Sequence, residues 1–71
     1  MVETAHRLLA LDPLDEGAHR ALMLAYARTG RPALALRQYL ACRRALVDGL
    51  GVEPSAETAA IQTAVLAGQA P

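Results

Sequence analysis

The stretch AHRALMLAYARTGRPALALRQYLACRRALVDGLGVEP, residues 18–54, decides the fold. It holds two apolar-periodic segments separated by Thr29-Gly30-Arg31-Pro32. In the first, Leu22, Ala25, Tyr26 and Thr29 recur at i, i+3, i+4 and i+7, one face of an α-helix. In the second, Ala35, Tyr39, Cys42 and Leu46 follow the same rule. Gly30 suits the left-handed residue that ends a helix, and Pro32 suits the first turn of the next, where a missing N–H costs nothing. A connection this short forces the two helices antiparallel and into contact. Leu22, Tyr26, Ala35, Tyr39, Cys42 and Leu46 are the expected hairpin core.

The same hairpin resembles the tetratricopeptide repeat, whose period is about 34 residues. His19, Leu22, Tyr26, Gly30, Ala35, Tyr39 and Cys42 occupy the offsets at which that pattern places its bulky, aromatic and small residues. The small residues let two backbones approach and the aromatics fill the space left over. Met23 departs from the pattern, standing where Gly or Ala is usual. No Pro closes the second helix at the usual place.

Working outward, residues 2–11 form a helix that Asp12-Pro13 ends, because the residue before Pro is pushed out of the α region. LLALDP is also how a tetratricopeptide repeat closes. Residues 2–11 therefore read as the second helix of an earlier hairpin whose first helix is missing, which would leave Ala5, Leu8, Leu9 and Leu11 short of a partner. Asp15 is the expected N-cap of a helix over 16–29, with Glu16 adding negative charge at the positive end of its dipole. The third helix spans 32–49. It carries Ala35, Tyr39, Cys42 and Leu46 on one flank and Leu36, Leu40, Val47 and Leu50 on the other, and a helix apolar on both flanks is expected to be covered on both. Gly51 is the expected left-handed cap. Ser55 caps a fourth helix over 56–67, with Thr58, Ile61, Val65 and Leu66 along its apolar stripe. Residues 68–71 are expected to fray. The fold class is all-α: about four helices in tetratricopeptide-like antiparallel hairpins, a fragment of an α-solenoid, forming one module over residues 1–71.

Composition supports this and bounds the function. Seventy-one residues allow one small domain. The apolar residues are mostly Ala and Leu, with two Tyr and neither Phe nor Trp, which favours close-packed helices over strands. Formal net charge is zero, so nothing draws the whole chain to nucleic acid or to an anionic membrane. The single Cys has no internal partner, in keeping with a reducing cytoplasm. There is no apolar run of the ~20 residues that span a bilayer, and the N-terminus lacks a basic segment followed by a long apolar core, so no signal peptide is expected.

ALRQYLACRRAL followed by GLGVEPSAET resembles the end of a bacterial transcriptional activator domain, the tetratricopeptide-like module of antibiotic-regulatory proteins and of some large regulators. ALMLAYARTG and LLALDP agree in order and spacing, and only the C-terminal portion of such a module is covered. The resemblance implies a part in transcription control. It implies self-association, contact with transcription machinery and relay from other domains of the regulator. Reading of DNA falls to an N-terminal winged helix in such proteins, and nothing in this chain resembles one. Two positions depart from the family: Leu34 replaces a polar or acidic residue, and Gly49 stands where a helix former is usual, which weakens the last turn by ~1 kcal/mol.

The chemistry-bearing residues are few. Arg20, Leu24 and Arg28 share one face of the second helix, the face that lines the concave side of tetratricopeptide arrays. Two guanidinium groups around an apolar residue suit an acidic peptide or a terminal carboxylate, although exposed Arg is ordinary and the more common reading of such a face is a solvated helix surface. Together with Leu34 they are the candidate partner-binding residues. Arg37, Arg43 and Arg44 form a possible basic strip on the third helix, without the Lys, excess charge or recognition helix that phosphate binding calls for. His6 and His19 lack ligand spacing, and no second Cys or paired carboxylate completes a metal set. Cys42 reads as an inert buried thiol and Ser55 as a cap, so no catalytic or cofactor site is expected. The chain reads as a protein–protein interaction and oligomerisation module of a bacterial transcriptional regulator. The rival is a free-standing adaptor that binds peptides on its concave face.

Overall fold

The computed structural model describes residues 2–71. Four helices follow one another: α1 (Val2–Leu11), α2 (Glu16–Arg28), α3 (Pro32–Leu50) and α4 (Ala56–Leu66), and no strand occurs among the described residues. Their ends lie within one residue of those expected, because each is set by local chemistry. The Asp15 carboxylate accepts from the Ala18 N–H at 3.1 Å to start α2. Gly30, at φ 73°, reverses the chain after α2, and the Arg31 N–H returns to the Tyr26 carbonyl at 2.8 Å. Pro32 then opens α3, and Gly51 at φ 68° closes it. Ser55 caps α4 by accepting from the Thr58 N–H.

α2 is the centre of the array, touching each of the other three helices. α1 touches α2 alone, and α4 lies against α2 and α3. The fully covered side chains are Leu22 and Met23 from α2, Ala35 and Cys42 from α3, and Thr58 from α4, with Tyr39, Leu46 and Val65 close behind. Tyr26 is half-buried. Ala5, Ala18 and Leu22 join α1 to α2 in a cluster flanked by Leu9 and Tyr26. Met23, the departure from the repeat pattern, fills core space that a smaller residue would leave empty.

Two expectations are corrected. α3 is covered on one flank only: Ala35, Tyr39, Cys42 and Leu46 face its neighbours, while Leu40 is 58% exposed, Val47 is exposed and Leu50 is 61% exposed. No helix reaches that second flank, because α1 makes no contact with α3 and α4 lies on the covered side. Leu66 is 65% exposed, so the packed stripe of α4 is Thr58, Ile61 and Val65. Helical periodicity fixes which residues share a face, and only the neighbouring elements determine which face is covered.

Gly49 has a tertiary reason. A Cβ there would stand 2.9 Å from Cδ2 of Leu14, on the loop between α1 and α2. The missing side chain lets that loop lie on the end of α3. Gly49→Ala should gain ~1 kcal/mol of helix propensity when Leu14 is first cut to Ala, and clearly less in the native chain. Equal gains in both backgrounds, measured by urea melts, would show that Leu14 imposes no constraint.

Candidate partner-binding surface

The densest polar cluster ties α2 to α4. Glu16, in the first turn of α2, accepts from the Ser55 backbone N–H at 3.1 Å and from the Ser55 hydroxyl at 2.9 Å. It also accepts from the Thr58 hydroxyl, which is wholly buried. One carboxylate therefore neutralises the N-terminal end of α4. The Thr58 hydroxyl holds the Glu16 carboxyl below its ordinary value of 4.5. Partial burial opposes that shift, and the Ser55 donors and the Arg20 charge support it. Arg20, one turn on from Glu16, donates to the Thr58 hydroxyl at 3.1 Å and lies 3.5 Å from Glu16 and 3.7 Å from Glu57.

A second cluster fixes α2 against α3 and the first loop. His19 is buried, with Nε2 2.8 Å from the Pro13 carbonyl and Nδ1 2.8 Å from the Gln38 amide nitrogen. The carbonyl can only accept, so Nε2 carries the proton and Nδ1 accepts from Gln38. Cys42, on α3, is fully buried, and its thiol is pushed up to about 11, first by burial and then by the negative charge of Glu16. At neutral pH it is a protonated, covered thiol with no nucleophilic role.

Arg20, Leu24 and Arg28 do share a surface, a shallow groove of about 360 Å³ that Ala21 and Ala25 complete. Arg20 is committed to the α2–α4 junction. The Arg28 Nε–H donates to the Pro71 carbonyl at 2.7 Å, while Gln69 N–H returns to the Ala64 carbonyl beyond Gly68. Leu34 is exposed on α3 and is not part of this groove. Of the basic strip, Arg43 is engaged by both oxygens of Glu53, at 2.8 and 3.0 Å, and only Arg37 and Arg44 are without an ion pair among the described residues. The described residues contain no group of three His, Cys, Asp or Glu placed to hold a metal ion. No helix among them is long and apolar enough to cross a membrane.

A larger groove, of about 510 Å³, runs between α1 and α2. Thr4, Ala5 and Leu8 form one wall and Gly17, Ala18 and Ala21 the other. Small residues on the α2 wall admit a backbone closely, and Leu8 on the rim is 42% exposed. Leu11, at the end of α1, is 82% exposed. The sequence signal for this surface was the apolar face of residues 2–11; the contribution of Gly17, Ala18 and Ala21 required knowing how α2 turns toward α1.

Comparison with known proteins places this architecture. The chain is 41% identical over 59 residues to "Regulatory protein DnrI" of Streptomyces peucetius, an overlap of 83% of this chain and 22% of that protein. It is 44% identical over 59 residues to "Regulatory protein AfsR" of Streptomyces griseus, covering 83% of this chain and 6% of that protein. "Regulatory protein AfsR" of Streptomyces coelicolor matches to the same extent. The chain thus spans less than a quarter of the length of these relatives. No solved structure matches it. The family profile described as bacterial transcriptional activator domain matches residues 1–66, and four helices with LGVEPS between the last two agree with it: the chain belongs to the bacterial transcriptional activator domain family.

Proposed function

We propose that this chain is a protein–protein interaction module of a cytoplasmic bacterial transcriptional regulator, neither its DNA reader nor an enzyme, and one helical-repeat piece of a larger activator domain. The observation that carries the reading is the groove between α1 and α2. α2 and α3 form a hairpin onto whose side α4 docks, and α1 and α2 present a comparable pair in which no other described helix touches α1. A helix seated along Thr4, Ala5, Leu8 and the small residues of α2 would cover the apolar wall of α1. Each Leu left exposed forgoes ~1.5–3 kcal/mol of burial, a large amount for a chain whose single core supplies only ~3–5 kcal/mol. The docked helix comes from the rest of the regulator, from a second copy or from transcription machinery. The zero net charge and the absence of any recognition helix favour these protein partners over DNA.

Equilibrium sedimentation of the chain, alone over a wide concentration range and mixed with RNA polymerase subunits, tests the reading. Association is expected in at least one arm, and Leu8→Arg should abolish any contact made through the groove by placing a charge in it. A clean monomer in every arm, with a melting temperature independent of concentration, would overturn the proposal.

A further inference from the structure

The open flank of α3 has a regular spacing. Leu36, Leu40, Arg43, Val47 and Leu50 follow one another at intervals of four, three, four and three residues, the heptad spacing of a helix seam that receives another helix. The seam is apolar at four of its five positions, and Leu40, Val47 and Leu50 are all exposed. Its one charge is already answered, because Glu53 engages Arg43 at 2.8 and 3.0 Å. A partner covering the seam therefore buries no unpaired charge at its middle.

The edge of the seam indicates which partner. Arg37 and Asp48 are both exposed, and neither makes an ion pair among the described residues. They stand eleven residues apart, about three turns and about 16 Å along the helix, so they lie on the same edge and cannot reach each other. A helix that satisfies both must carry an acid opposite Arg37 and a base opposite Asp48, and an antiparallel copy of α3 does.

Building on the interaction-module reading, we infer that the chain self-associates through α3, two copies packing antiparallel about a two-fold axis at Arg43. Leu36 then meets Leu50 of the second copy, Leu40 meets Val47, and Arg37 meets Asp48 twice over. At the axis two Arg43–Glu53 pairs come together with alternating charges. The Arg44 side chains are the unfavourable element, since both lie near the axis on the same edge with no acid opposite.

Charge exchange tests this, with sedimentation equilibrium as the readout and circular dichroism confirming that each variant remains helical. Arg37→Asp and Asp48→Arg should each weaken self-association roughly tenfold, as like charges then face each other across the seam. The double variant restores both pairs and should return to within about threefold of the native chain. Arg44→Gln should strengthen association, and salt should weaken the native pair. Single variants without effect, a double variant weaker than either single, or a native chain monomeric at all concentrations would each overturn the α3 interface. Loss of self-association on Leu8→Arg with indifference to the Arg37 and Asp48 changes would assign the contact to the α1–α2 groove, so the two readings fail separately.

Discussion

Ala35→Arg should leave the chain without a cooperative fold. Ala35 has no exposed surface and sits on the covered flank of α3, near Tyr39 and one turn from its start. A guanidinium at that position must either enter the α2–α3 contact with no acid to meet it or push the two helices apart. Burying an unpaired charge costs several kcal/mol, and a core of this size has about 3–5 kcal/mol in total. Far-UV circular dichroism at room temperature should show most of the helical signal gone and no sigmoidal melt. Leu34→Arg is the control, one residue away on an exposed position, and should keep the native spectrum. If Ala35→Arg melted like the parent, the close approach of α2 and α3 would be wrong.

Glu16→Ala should detach α4 while leaving the α2–α3 hairpin. The carboxylate accepts three hydrogen bonds from Ser55 and Thr58, and its loss leaves the buried Thr58 hydroxyl without its acceptor and Arg20 short of a counter-charge. Leaving such donors unsatisfied costs about 1–3 kcal/mol, a large share of what holds a helix of eleven residues in place. Hydrogen exchange should become fast in 56–66 before it does in 32–50, and simultaneous loss of protection everywhere would show that the junction is not local. The same residue gives a pH signature. Its carboxyl is depressed from 4.5 in the folded chain, so its contribution is fully present above that pH and is lost as pH falls through the depressed value. Native and Glu16→Gln chains should differ in stability at neutral pH and converge on acidification below about 4.5. A difference that widened toward low pH would reverse the sign of the linkage.

The division between what was legible in the chain and what was not follows the range of the interactions. Asp15, Gly30, Pro32, Gly51 and Ser55 act on backbone groups within a few residues, so the helices and their ends could be read from neighbours in sequence. The 3.6-residue period likewise put Ala35, Tyr39, Cys42 and Leu46 on one face. No local pattern could show that Glu16 closes the start of α4, across 39–42 residues, or that Arg20 on the expected partner face is held by Thr58. Gly49 read as a weak helical residue until Leu14 was found against it, and His19 as an ordinary histidine until Pro13 and Gln38 took its two nitrogens. The second flank of α3 has the same apolar period as the first, and the chain carries no mark saying which of them a neighbour covers. Periodicity and capping are short-range and so written in order along the chain. Coverage, charge pairing and close approach depend on which helices meet, and that was decided only when α4 settled on α2 and α3 and left Leu40, Val47 and Leu50 in water.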